Sequence, residues 1–360
     1  MSFVSTIIAF LVSIVASVSI WWTESTDRNI IIIENAAGVA AVVQGVAEPP
    51  ITDSTYSSLL DIINASLERI REGVSLTNEA STTAPLSADD SLPEQDLAEA
   101  IVNIYCITKT PEYRRIISGT GFFISDRGVV LTNAHVGQFL LLEKYNDQSK
   151  TDCHIKTGES AASAYEVDLL YISPTWLIEH ADLISDPAPK GTGENDFALL
   201  YVTSAISGEK LPSHFPYLPP ATSPLSPEYR RANVILVGYP QSESSSGVRV
   251  TSTTTITDLY TFESGYADVI SLASSSLGYK GASGGPVIDH LGRAIGVITT
   301  KEAGTTALNA ITISHIDRVL TKEKGIDLAN SIRGDLVRKA QIFNETVSPI
   351  LQTLLTNNLE

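Results

Sequence analysis

From residue 97 onward the apolar residues come in short runs: Ile101-Val102-Asn103-Ile104-Tyr105-Cys106, Gly121-Phe122-Phe123-Ile124, Val129-Val130-Leu131, then 165–171 and 197–202. A proline-dense span, 211–227, interrupts them. They then resume at 233–238, 248–256, 268–272, 286–288 and 294–299. The runs are rich in β-branched and aromatic residues, with turn-forming residues between them, so they predict short antiparallel strands in barrels or a sandwich. The proline span is rigid and poor in backbone donors, which suits a bridge between two such units. Beyond Ile316 the pattern changes to helical spacing, through Leu336, Ala340 and Leu351, and predicts a helical tail over 326–360.

The N-terminal third reads differently. Residues 3–22 carry no charge over twenty positions and end in Trp21-Trp22. That length suits a bilayer core with tryptophans at the interface, so residues 1–24 read as a membrane anchor. A cleaved signal segment is the rival reading, weakened by the missing basic start and cleavage site. Sparse acidic and basic residues after the span place the bulk of the chain outside the cytoplasm. Residues 25–50 form a second apolar stretch with no clear period. Within 51–75, Tyr56, Leu60, Ile63, Leu67, Ile70 and Val74 repeat at heptad spacing. This is either a seam for homo-oligomers through residues 56–74 or an amphipathic helix docked on its own domain. Residues 76–95, rich in Ser, Thr, Ala, Asp and Pro, read as a flexible linker.

The net charge of −17 over 360 residues, with no basic run, argues against a nucleic-acid partner. The two cysteines, Cys106 and Cys153, are too few for a disulfide scaffold and sit in no metal-ligand spacing. They are either two buried thiols or one bridge. No metal and no cofactor is implied.

Three local patterns carry chemistry. In the first, Gly119-Thr120-Gly121 opens a strand, Ser125-Asp126-Arg127-Gly128 turns it, and Thr132-Asn133-Ala134-His135-Val136 ends the returning strand on a histidine. In the second, Asn195-Asp196-Phe197-Ala198-Leu199-Leu200 begins an apolar strand with an acid. In the third, Gly281-Ala282-Ser283-Gly284-Gly285-Pro286 is a glycine-dense turn around one serine. A serine hydroxyl needs a base to take its proton, and an imidazole needs a carboxylate to fix its tautomer. His135, Asp196 and Ser283 supply those three parts. The glycines let the backbone turn tightly enough for the amides of Gly281 and Ser283 to converge on one oxyanion.

These motifs resemble the chymotrypsin/trypsin-like serine proteases, and within them the HtrA/Deg-like branch, over about residues 97–323. The resemblance implies an all-β fold of two six-stranded antiparallel barrels: barrel one over 96–210, barrel two over 228–315, and a protease domain over 96–325. It implies endopeptidase activity on proteins, with the triad in the cleft between the barrels. The residue six before the nucleophile, Leu277, takes the base of the primary specificity pocket, with Thr299 and Thr300 in its wall. An apolar base implies a preference for small or medium apolar side chains over basic ones. Cys106 falls in the first strand of barrel one and Cys153 in about its fourth, strands that meet when the barrel closes. A Cys106–Cys153 disulfide follows from that. Ala282 replaces the acid that vertebrate digestive members use in zymogen activation, and the tail is too short for a PDZ domain. By analogy the work is protein quality control outside the cytoplasm, membrane-bound or, if the N-terminal segment is cleaved, secreted. The competing reading is a catalytically silent protease-fold module that binds peptides or scaffolds a membrane complex.

Overall fold

A computed structural model describes residues 94–109, 114–143, 150–186, 193–241, 247–262, 265–301 and 306–358, with the backbone of 30–34 and 40–44. The anchor or signal segment at 1–24, the heptad at 56–74 and nearly all of the 76–95 linker lie outside the described residues. Among the described residues no helix is long and apolar enough to cross a membrane. The apolar stretch at 25–50 contains a two-stranded antiparallel ribbon, β1 (Ile30–Glu34) paired with β2 (Ala40–Gln44). Alternation is hard to read where both strands are almost wholly apolar.

The short runs form two closed six-stranded barrels. After a short helix α1 (Glu94–Glu99), which takes up the last two residues of the predicted linker, barrel one is built from six strands. They are β3 (Ile101–Lys109), β4 (Arg114–Ser125), β5 (Val129–Thr132), β6 (Lys150–Thr157), β7 (Ala162–Ile172) and β8 (Ala198–Ala205). The ladder runs β3-β4-β5-β8-β7-β6 and closes where β6 meets β3. Barrel two uses β9 (Asn233–Gly238), β10 (Val250–Tyr260), β11 (Val269–Leu272), β12 (Pro286–Ile288), β13 (Ala294–Lys301) and β14 (Leu308–Thr312). Closure leaves no sheet edge exposed. It also explains the short, nearly unbroken apolar runs: β5 is buried at every residue.

Closing barrel one puts Cys106 directly opposite Cys153 in the β3–β6 register, and the two form a disulfide. The bond closes a loop across a sequence separation of 47, which by chain entropy is worth about 4 kcal/mol. The proline span crosses between the barrels, pinned at intervals along its length. Phe215 N–H donates to Asp126 O and Leu218 N–H to Phe123 O in barrel one, while Ala221 N–H donates to Ala294 O and Ala294 N–H to Pro219 O at the start of β13.

The tail folds back onto barrel one. Helix α2 (Ala134–Gly137) follows β5, and α3 (Pro174–His180) starts on a Ser173 cap with Pro at its first turn. After β14 come α4 (Ile313–Lys324), α5 (Leu328–Ser331), α6 (Leu336–Thr346) and α7 (Ser348–Thr356). Thr312, Asp327 and Asp335 cap three of these, and Gly325 ends α4 at φ 72°. Phe343 is fully buried beside Tyr171, and the Asn344 amide donates to Leu169 O at 2.8 Å. The Gln352 amide donates to Leu141 O at 2.8 Å, in the 3-10 turn that follows α2.

At the joint between α4 and this tail, Tyr171 and Ser173 of barrel one donate to the Glu323 carboxyl. Next to it, Lys324 is buried with no hydrogen-bond partner for Nζ, near the Tyr171 ring. Burial, reinforced by the like charge of Lys339, pulls its amine down to about 7. A lowered amine costs nothing above the ordinary lysine value of 10.5; as pH falls from there to about 7 the unfolded chain takes up the proton and the fold does not, so stability is lost across that window and the loss is complete below it. Lys324→Met is therefore expected to raise stability, by more at pH 6 than at pH 9. Urea unfolding at the two pH values measures it, and an equal gain at both would contradict the burial argument.

Candidate active site

The β4–β5 hairpin positions the histidine. Gly128, at φ 82°, completes the turn, and β5 runs fully buried to Thr132. Asn133 then turns extended at φ −82° and ψ 154°, which starts α2 and sets His135 in its first turn. The acid arrives from a second turn. Gly193 (φ 93°) and Asn195 (φ 59°) both occupy the left-handed region, one that Asn tolerates better than other residues with a side chain. That turn aims Asp196 inward before β8 begins.

The two side chains meet in a buried site. Asp196 is completely inaccessible and His135 is 4% exposed. One carboxylate oxygen accepts His135 Nδ1 at 2.8 Å, and the other accepts the backbone N–H of His135 at 3.0 Å. A carboxylate only accepts, so Nδ1 carries the proton and Nε2 keeps the lone pair. Neighbouring residues fix the pair from both sides. Asn133 Nδ2 donates to Asp196 O at 2.9 Å, and Gln138 Nε2 donates to His135 O at 3.1 Å.

The serine turn comes from barrel two and is laced to β13: Gly284 N–H donates to Ile298 O and Ile298 N–H to Gly285 O, both at 2.8 Å. Gly281 and Gly284 have φ of 89° and 86°. A Cβ on Gly284 would lie 2.0 Å from Thr120 O and 2.4 Å from Thr132 Oγ1, so only glycine fits. That approach brings the turn against the end of β5, three residues before His135. Ser283 O also accepts Thr120 N–H at 2.8 Å across the barrel boundary.

Gln241 N–H donates to Lys280 O, and the peptide is trans. The Gly281 N–H therefore points the opposite way. Among the described residues neither the Gly281 nor the Ser283 N–H donates to a backbone carbonyl. No hydrogen bond joins His135 Nε2 to Ser283 Oγ; such contacts commonly tighten only when substrate binds.

Of the predicted pocket residues, Leu277 is fully buried in the apolar cluster of barrel two, its N–H donating to Ser275 Oγ at 3.1 Å. Thr299 is 2% exposed and bonds Asn309 O at 3.4 Å. The Thr300 side chain lies outside the described residues. A second buried His–Asp contact, His315 with Asp268 at 3.3 Å, belongs to a structural knot: the same carboxylate takes Arg318, Thr261 Oγ1 and the Phe262 N–H. Sequence reasoning passed over Thr120, Thr132 and Asn133. Their signal was adjacency to the motifs, but nothing in the sequence showed which partners lay across the boundary.

Asp196→Asn leaves the site's shape intact but presents an amide N–H or a neutral oxygen to Nδ1. Reactivity at Ser283 is expected to fall about 10⁴-fold. Nitrogen NMR of the His135 ring would report the tautomer directly, and an unchanged Nδ1–H form with unchanged reactivity would contradict the assignment.

Residues 119–297 match the family model described as a trypsin-like peptidase domain. No curated protein matches the chain. Among solved structures it is similar to the active form of the Rv3671c protease from M. tuberculosis, at 20% identity and a TM-score of 0.41, covering 67% of this chain and 94% of that one. The inactive form of the Rv3671c protease is similar at 21% identity and a TM-score of 0.40, covering 68% and 98%. Through residues 119–297 this chain carries a trypsin-like peptidase domain and is by class a serine endopeptidase.

Proposed function

We propose that the chain hydrolyses peptide bonds of proteins through Ser283, with His135 as general base then general acid and Asp196 as its orienting carboxylate. The observation that carries this reading is the buried His135–Asp196 pair, with both carboxylate oxygens engaged and Nε2 left to accept a proton. Ser283 Oγ gives its proton to Nε2 and attacks the carbonyl carbon. The carbonyl oxygen becomes an oxyanion facing the N–H groups of Gly281 and Ser283. His135 then protonates the leaving amine, and water repeats the sequence to release the acyl group. The alternative of a silent peptide-binding module has no lost triad member to favour it.

The proposed setting is outside the cytoplasm, held at a membrane by residues 3–22 or secreted if they are cleaved, in turnover of exported proteins. Residues 56–74 would make the contacts of a homo-oligomer. These rest on the apolar N-terminus, the heptad and the family analogy. The primary pocket, with Leu277 at its base and Thr299 and Thr300 in its wall, would favour small or medium apolar side chains. It offers no carboxylate for a basic one.

Two measurements test the reading. A fluorophosphonate probe is expected to label the protein at Ser283, with labelling lost in Ser283→Ala; folded protein that does not label would refute an activated serine. A peptide-library profile is expected to concentrate on cleavage after Ala, Val or Leu, and cleavage confined to Arg would overturn the pocket assignment.

A further inference from the structure

The Thr120 side chain has a place in this site that the triad does not explain. It is completely buried at the first-barrel face of the serine turn. Its Oγ1 donates to Gly281 O at 2.6 Å and accepts the Tyr239 N–H at 3.0 Å. Its backbone N–H donates to Ser283 O, and its carbonyl accepts Thr132 Oγ1 at 2.7 Å. One residue of β4 thus holds the carbonyls of both residues whose N–H groups face the oxyanion, and it ties them to the strand that delivers His135.

The direction of these bonds matters. Gly281 has no side chain and sits at φ 89°, so little in its own chemistry fixes the plane of the 281–282 peptide. Behind it, Tyr239 O lies 2.5 Å from where a Cβ would stand, which confines the residue without orienting its carbonyl. The N–H side of the 281–282 peptide has a long bond, Ala282 N–H to Tyr279 O at 3.4 Å, and two shorter anchors hold the carbonyls on either side of Gly281. Gln241 N–H holds Lys280 O on one side of Gly281, and Thr120 Oγ1 holds Gly281 O on the other. With both carbonyls held, rotation about the Gly281 N–Cα and Cα–C bonds is blocked and its N–H stays aimed at the cleft. A hydroxyl is needed because the site asks one atom to donate to Gly281 O and accept from Tyr239 N–H.

We propose that Thr120 is a positioning residue of the oxyanion site: its hydroxyl fixes the Gly281 peptide so that the Gly281 and Ser283 N–H groups stay convergent. Thr120 touches neither substrate nor the reacting atoms. The proposal rests on the serine-protease reading above and sharpens it. A hydroxyl that preorganises donors for an oxyanion acts on the tetrahedral state and leaves ground-state binding alone.

The experiment compares wild type, Thr120→Val, Thr120→Ala and Thr120→Ser in the full chain. Active sites are counted with the fluorophosphonate, and rates are read with a peptide nitroanilide bearing Ala or Val at the cleaved bond. Wild-type protein that neither labels nor cleaves refutes the protease reading itself. Given an active wild type, Thr120→Val is expected to lower kcat per labelled site by about 10- to 100-fold, because losing one oxyanion donor outright typically costs about 10²–10³. KM should stay within about twofold. Affinity for a peptide aldehyde, which forms the tetrahedral adduct, should fall in parallel with kcat, and Thr120→Ser should restore both. The pH dependence of kcat/KM should not move, since His135 is untouched. A folded Thr120→Val or Thr120→Ala with wild-type kcat per site, or a loss carried mainly by KM, would overturn the proposal. If neither hydroxyl-free variant folds, the hydroxyl serves stability rather than the oxyanion, and the proposal fails on that outcome too.

Discussion

The three residues of the proposed triad are split between two barrels: His135 and Asp196 ride on β5, α2 and the turn before β8, while Ser283 belongs to the turn before β12. Each barrel closes its own ladder, so strand pairing alone sets no distance between them. Among the contacts that do, the one at the site is a backbone contact, Thr120 N–H to Ser283 O, reinforced by Gly284 lying against Thr120 O and Thr132 Oγ1; Arg249 N–H to Glu159 O adds a second, away from it. A backbone-to-backbone seam tolerates little error, because neither side can adjust a rotamer to absorb a misfit. The glycine at 284 follows from it, since a Cβ there would push Thr120 O and Thr132 Oγ1 away and open the seam, whereas a Cβ on Gly281 would collide with Tyr239 O inside barrel two.

Within the first barrel, local strain serves the same end. Asn195 adopts a left-handed conformation so that Asp196 can leave the surface turn and enter a site with no solvent contact. Burying a carboxylate is costly unless its oxygens are paired, and here both are, by groups of the same residue. Backbone and ring of His135 are held by one partner, which fixes the ring's position and its tautomer together.

Much of this was legible in the residues. The short apolar runs predicted the strands, and the Thr-Asn-Ala-His, Asn-Asp-Phe and Gly-x-Ser-Gly-Gly-Pro patterns marked three turns, of which the structure brings His135 and Asp196 into contact. The Cys106–Cys153 pairing followed from the family topology and was met in the register of β3 and β6. The ribbon at Ile30–Glu34 and Ala40–Gln44 was not legible, since uniform apolarity hides the period. The docking of the tail was not legible either. An amphipathic pattern at Leu336, Ala340 and Leu351 announces a face to bury but does not name the surface that receives it. Thr120 stood in the sequence only as part of a strand opening between two glycines, because hydrogen bonds spanning more than a hundred residues leave no local trace.

The placement of the disulfide also has a mechanical consequence. Whatever precedes α1 joins the domain at β3, so tension on the N-terminal side enters barrel one at Ile101. Strand β3 is hydrogen-bonded along both edges, to β4 and β6, and pulling it lengthwise loads those bonds in shear, many at once. Halfway along, the Cys106–Cys153 link passes the load covalently to β6. The force path then lies in the wall formed by β3, β4 and β6, while Asp196 and the serine turn sit on other elements. The serine turn is nonetheless anchored to that wall, because Thr120 of β4 pairs with Asn103 of β3 and holds Ser283 O and Gly281 O, so load along β3 bears on that turn while the His135–Asp196 pair lies outside the path.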